Sequence, residues 1–234
     1  HGYQPTPSDL IGASKAIVFI ENGFGFELWV EKFVSNFTFE RITIADNLNP
    51  IFIDEDLYAG KPNPHAWISP KRGLLYVDII VDSLSELKPS KREYFEENGK
   101  IYKNKISKID KDFSLFINNL DKDKRYLVSC EGAFSYLTND YGLKEVYLWP
   151  VNSESQITPK RMTRTISIVK NKNIPTVFCE STVSNEGQMV VVNETGAKFG
   201  GNLFVDSLSD DNGPASSYLK MLRHNLNIIK KGLN

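Results

Sequence analysis

The chain has 234 residues, 41% of them apolar. That is enough to bury a core and too apolar for intrinsic disorder. Its 28 basic and 29 acidic side chains leave a net charge of −1, which gives no electrostatic footprint for nucleic acid. No run approaches the roughly 18 consecutive apolar residues of a membrane span. Its two cysteines, Cys130 and Cys179, are too few for a disulfide framework or a thiolate metal site. At about 150 residues per domain, the length allows one or two domains. The chain opens at His1 with no methionine, charged leader or apolar signal region, so its location is not legible from the residues alone.

In chain order, Thr6-Pro7 marks a first helix start, with a capping hydroxyl just before a proline at the first helical position, where a missing N–H costs nothing. Strand patterns follow at Ile17–Glu21 and Arg41–Ala45, then a second capped start at Ser69-Pro70. After Pro89, Ser90 and Glu93 have the spacing of a capping box. From Lys91 to about Leu120, the apolar residues Phe95, Tyr102, Ile106, Ile109, Phe113, Phe116 and Leu120 recur at steps of three, four or seven. This predicts one long amphipathic helix of roughly 45 Å, with Gly99 as a soft point. Four more strand patterns follow at Arg125–Cys130, Glu145–Trp149, Thr176–Cys179 and Asn202–Val205, with a helix start at Thr158-Pro159 among them. Short apolar strands alternating with helices predict an α/β fold of mainly parallel sheets covered on both faces. The long helix reads as a strut between two lobes, with residues 1–89, 90–120 and 121–234 as first lobe, linking helix and second lobe.

Ligands of open α/β sheets bind outside the carboxyl ends of the strands. Asp46, Glu131, Glu180 and Asp206 stand at those ends, and several acids on one edge point to a cation. Of the three histidines, His1 and His65 each stand in a proline-bearing loop just ahead of a capped helix, whereas His224 lies among Leu222, Leu226 and Ile229 and reads as an ordinary helix residue. Two imidazoles and two carboxylates form a mixed N/O donor set. Such a set suits Mn(II), Fe(II) or Zn(II) and disfavours Cu(I) and calcium. Each cysteine immediately precedes one of the acids and reads as a buried thiol on the sheet, a bridge between the two being left open. Gly23-Phe24-Gly25 and Gly200-Gly201 read as turn glycines, not phosphate loops. The glycosylation patterns at Asn36 and Asn193 are weak signals.

The same residues carry a family resemblance. His1-Gly-Tyr-Gln-Pro-Thr-Pro, Lys61-Pro-Asn-Pro-His65-Ala-Trp, Ser129-Cys-Glu131-Gly, Tyr147-Leu-Trp-Pro, Glu180-Ser-Thr-Val-Ser and Val205-Asp206-Ser-Leu-Ser resemble the metal-binding solute receptors of ABC importers, and most closely their manganese/iron branch. The resemblance implies two (β/α) lobes joined by one rigid helix, an extracytoplasmic protein (periplasmic or lipid-anchored), and delivery of metal to a membrane permease by a monomer. It implies His1, His65, Glu131 and Asp206 as ligands of Mn2+, with Fe2+ or Zn2+ as alternatives, and Glu180 as a supporting hydrogen-bond partner. The zinc branch carries a third histidine at the position of Glu131 and a His-rich loop, and Asn49 to Pro62 here contains no histidine. The family also carries a further strand–helix–strand before the His1 motif, so the first lobe is expected to have an incomplete sheet with an unpaired edge.

Two carboxylates about 4 Å apart repel by roughly 4 kcal/mol at an effective dielectric of 20. A divalent cation between them reverses the sign, so the metal would clamp one lobe to the other. Imidazole must be neutral to bind, so affinity is expected to fall as pH drops through about 6.5. The rival readings are a zinc-specific receptor, a metalloenzyme with two histidines and a carboxylate, and a surface adhesin.

Overall fold

The structure is a computed structural model that describes residues 3–35, 37–151 and 157–234. His1 and Asn36 therefore lie outside the described residues.

Helix α1 (Pro7–Ala13) starts as expected: Thr6 accepts from Asp9 N–H, and the Asp9 carboxylate reaches back to the Thr6 backbone. Strands β1 (Val18–Glu21) and β2 (Glu40–Thr43) form a parallel pair, with the short helix α2 (Val30–Val34) in the crossover. Among the described residues this pair is the whole first-lobe sheet.

Helix α3 (Pro70–Leu87) and helix α4 (Arg92–Asn119) form an antiparallel hairpin joined by a 3-10 turn at Pro89–Lys91. The Ser90–Glu93 capping box is absent, because that turn takes up Ser90 and the helix starts at Arg92 without a side-chain cap. Ser69 precedes α3 as predicted, but its hydroxyl donates to Asp140 Oδ2 at 2.7 Å instead of capping the helix. The long helix spans 28 residues. It buries Ile106, Ile109 and Phe113 as the spacing predicts, and Ile117 in place of the half-buried Phe116. Its second half enters the second-lobe core beside Leu127, Phe178, Leu226 and Ile229.

Gly99 is no soft point. It is buried where the two helices cross, and a Cβ there would stand 2.5 Å from Val81 Cγ2. The missing side chain is what lets α3 and α4 approach.

The second lobe contains β3 (Tyr126–Glu131), helix α5 (Ser135–Tyr141), β4 (Lys144–Trp149), helix α6 (Pro159–Asn171), β5 (Thr176–Glu180), helix α7 (Glu186–Thr195), β6 (Lys198–Leu203) and helix α8 (Tyr218–Leu233). Strands β3 and β4 pair in parallel, as do β5 and β6. Every residue of β3 and β5 is buried, as expected for a parallel sheet covered on both faces. Thr158 caps α6 through Arg161 N–H, and Ser217 caps α8 through Lys220 N–H.

The sixth strand begins four residues before the predicted Asn202–Val205 and ends two residues before that span does. Gly200 and Gly201 sit inside β6, not in a turn. A Cβ on Gly200 would meet the Phe178 ring at 2.4 Å, so the glycine makes room for a large side chain of β5. Weak strand propensity at those glycines hid the strand from its composition.

The Gly99 contact yields a first prediction. Gly99→Ala is expected to lower stability by about 1–2 kcal/mol, because over-packing against Val81 outweighs the helix-propensity gain of about 1 kcal/mol. Gly12→Ala in α1, where a Cβ meets nothing within 4 Å, should instead be neutral or stabilising. Urea denaturation of the two variants checks the contrast.

Candidate metal centre

The segment from Asn63 to Ser69 carries the first histidine candidate. Pro64 shortens its freedom, a 3-10 turn runs over Ala66–Ile68, and α3 follows. His65 is fully buried. Phe26 and Trp67 stand around its ring, with centroids 6.2 and 5.2 Å away, and shield it from water.

This segment is tied to the second lobe at several points. Trp67 Nε1 donates to Val205 O at 3.1 Å, and Tyr218 Oη donates to Trp67 O at 2.8 Å. Tyr136 Oη donates to Asn63 O at 2.8 Å and accepts from Ile51 N–H at 3.1 Å. Arg72 forms two 3.0 Å bonds to Asp140, a bidentate pair largely shielded from solvent. Further out, Arg164 Nη1 meets Glu55 Oε1 at 2.7 Å.

Asp206 comes from beyond the end of β6. Its Oδ1 lies 3.3 Å from His65 Nε2, with its side chain only 18% exposed. Two ligand atoms on one first-row ion, at bond lengths of about 2.1 Å, stand about 3.0–3.5 Å apart. The pair therefore has the separation of two donors sharing a cation.

Glu131 ends β3 and is buried. Asn63 donates to the carbonyl of Gly132, the next residue, at 2.7 Å, which brings the His65 segment against the Glu131 turn. Gly132 N–H in turn donates to Trp149 O at 3.0 Å, and Ser129 Oγ donates to Glu131 O at 2.8 Å. The backbone around Glu131 is thereby fixed. Of the predicted set, the structure brings His65 and Asp206 together, and Glu131 stands one residue before the Gly132 carbonyl that Asn63 holds.

Glu180, at the end of β5, is almost wholly buried and accepts from Glu131 N–H at 3.2 Å. Burial and the neighbouring Glu131 charge hold its carboxyl well above the usual range. It supports the Glu131 backbone, as expected of a supporting residue. Asp46 lies in a 3-10 turn at Ala45–Asn47, and His224 lies on α8, its Nε2 3.3 Å from Asn202 O.

Cys130 and Cys179 are joined in a disulfide, with Cα atoms 4.8 Å apart. This corrects the expectation of two buried thiols. Adjacent strands run about 4.7–4.9 Å apart, so β3 and β5 lie side by side and bring the two cysteines into reach. Among the described residues, the sulfurs and Glu180 are the cluster of potential ligand groups within 4.8 Å of one another, but bridged sulfurs offer no thiolate. Gln188 Nε2 also spans the two strands, at 2.7 Å from Phe178 O and 3.4 Å from Val128 O. Spacing alone could not reveal these staples.

Glu145 on β4 accepts from Phe134 N–H at 2.8 Å and from Ser135 Oγ at 2.7 Å. Burial nonetheless pushes its carboxyl up to about 7.

A family model described as "ZnuA: Zinc-uptake complex component A periplasmic" matches residues 1–232. The chain is 40% identical over 233 residues to the iron-binding protein YfeA of Yersinia pestis, covering 99% of this chain and 75% of that protein. It is 29% identical to the manganese ABC transporter substrate-binding lipoprotein PsaA of Streptococcus mitis, covering 100% and 78%. Its fold superposes with a TM-score of 0.92 on the Mn-bound periplasmic metal binding protein of candidatus liberibacter asiaticus, at 37% identity over 100% of this chain and 87% of that one.

Two predictions follow from the second lobe. Glu145 keeps a proton in the folded chain that the unfolded chain releases near pH 4.5. Stability should therefore fall as pH rises from about 4.5 to 7, by at most about 1.4 kcal/mol per pH unit. Denaturation curves across that window should show a shallower decline for Glu145→Gln. Reducing the Cys130–Cys179 bridge should cost about 2–4 kcal/mol, read as a lower urea midpoint in the presence of a dithiol.

Proposed function

Because the chain belongs to the zinc-uptake complex component A family of metal-binding substrate receptors of ABC importers, we propose that it captures a divalent transition metal outside the cytoplasm and hands it to a membrane permease. Mn2+ is the preferred cargo, with Fe2+ next and Zn2+ as the alternative. The ligands are His65, Glu131 and Asp206, with His1 as the fourth. The observation that carries this reading is the 3.3 Å approach of the fully buried His65 Nε2 to Asp206 Oδ1.

The similarity to YfeA and PsaA, named for iron and manganese, supports the choice of metal. So does the carboxylate at position 131, since hard oxygen donors suit Mn2+ better than a third imidazole would. Zinc outcompetes manganese at most N/O sites, so cargo in the cell follows supply as well as affinity. The disulfide fits an oxidising compartment. No described helix is long and apolar enough to cross a membrane, and a periplasmic or lipid-anchored monomer accommodates both facts. The lobes take residues 1–89 and 121–234, with 90–120 as the link between them.

The family is one of transport receptors, and we read this chain as non-catalytic. The metalloenzyme reading draws on a cavity of about 390 Å3 beside Asp206, walled by Phe26, Trp67, Tyr76 and Tyr218. That volume would suit a small organic molecule. A receptor instead surrounds its cation with protein donors and needs no second ligand.

Calorimetric titration with Mn2+ tests the site. His65→Ala, Glu131→Ala and Asp206→Ala should each weaken binding by at least about a hundredfold, in line with losing one buried charge-assisted partner. Glu180→Gln should weaken it far less. Undiminished affinity in any two of the three alanine variants would overturn the assignment.

A further inference from the structure

Asn63 makes four hydrogen bonds with one buried amide. Its Oδ1 accepts from His65 N–H at 3.1 Å and lies 2.8 Å from His65 Nδ1. Its Nδ2 donates to Gly132 O at 2.7 Å and to Ser135 Oγ at 3.2 Å. The partners leave no choice in how the amide is turned. A backbone N–H requires the oxygen on the His65 side, and a carbonyl requires the nitrogen on the Gly132 side. Only 2% of Asn63 is exposed, so water does not compete for either end.

The orientation of the amide dictates the state of the imidazole. With an acceptor-only oxygen at Nδ1, that nitrogen carries a proton, and in the neutral ring the lone pair is at Nε2, on the side of Asp206. This is the tautomer that can ligate a cation from Nε2. Asn63 Nδ2 is held by the backbone next to Glu131 and by the first residue of α5, both in the second lobe.

We propose that Asn63 is the positioning residue of the metal centre: it sets the His65 tautomer and fixes that ring in register with the Glu131 turn across the lobe boundary. The proposal rests on the reading of His65 and Glu131 as ligands. It adds that the first-lobe ligand becomes competent through a side chain oriented by the second lobe. When the lobes part, the amide loses Gly132 O and Ser135 Oγ, and only the local bond from His65 N–H is left to hold its orientation.

A double-mutant cycle on the 234-residue chain, titrated with Mn2+ by calorimetry, tests this. Asn63→Ala should weaken binding by about 10- to 100-fold, the usual effect of removing the partner that orients a ligating histidine. His65→Ala should weaken it more, and the double variant should bind as His65→Ala does, within about twofold. Equal losses from Asn63→Ala in both backgrounds would mean that the amide acts through lobe packing alone, and the proposal fails. No loss from Asn63→Ala, with a large loss from His65→Ala, also overturns it while leaving the ligand set standing. If His65→Ala binds normally, the ligand reading falls and takes this inference with it. Should the variants fold poorly, 15N NMR of the unaltered metal-free chain at pH 8 decides. A proton on Nδ1 and a bare Nε2 is the expected signature, and the reverse tautomer overturns the proposal.

Discussion

The burial of like charges in the cleft governs the rest of the architecture. Glu131 and Glu180 stand at the ends of adjacent buried strands, the N–H of one bonded to the carboxylate of the other, and Asp206 faces an imidazole with no exposed surface. A group of this kind is stable only if something neutralises it. Burial and the neighbouring Glu131 raise the Glu180 carboxyl well above its usual range, which favours its neutral form. On the proposed ligand set, a divalent cation would do the same for Glu131 and Asp206. Glu180, nearly without solvent contact, would then be the structural carboxylate and the other two the ligating pair.

The sheet beneath them is built to hold that crowding. Strands β3 and β5 sit side by side, each paired on its outer flank with β4 or β6. Between them run the Cys130–Cys179 bridge, the Gln188 amide and the Glu131–Glu180 bond. The disulfide and the Glu131–Glu180 bond lie at the carboxyl ends of the strands, and the Gln188 bonds lie mid-strand. The second-lobe end of the site is therefore stiff, which keeps two carboxyl groups close against their repulsion.

Much of this was legible in the residues. Five of the six strands both begin and end within a residue or two of the predicted position, because short β-branched runs bounded by Gly, Pro or Asn have few alternatives. The long helix was plain from its apolar stripe, and strand ends and a proline-bound loop singled out Glu131, Asp206 and His65 as the residues on which the proposed site is built. What escaped was tertiary. Gly200 belongs to a strand because the Phe178 ring needs its space, and Gly99 marks a helix crossing because Val81 does. Ser69 gives up its cap to bond Asp140 from another lobe. Asn63 reads as an ordinary residue ahead of a proline until its amide is seen between His65 and Gly132. None of these partners is near in sequence, so no local pattern could announce them.

The two lobes contribute unequally to the centre. Glu131 stands on a stapled strand, whereas His65 stands on a 3-10 turn whose position depends on bonds to the other lobe: Asn63 to Gly132 O, Trp67 to Val205 O and Tyr136 to Asn63 O. Each of these is a single neutral hydrogen bond, worth about 1 kcal/mol net. The bidentate Arg72–Asp140 pair is the stronger tie, and it lies at the start of α3, beyond the ligand. A receptor must hold its cargo tightly and still surrender it. A rigid carboxylate end facing an imidazole on a hydrogen-bonded loop meets both demands, because affinity resides in the charges and release requires only that several weak bonds exchange with water.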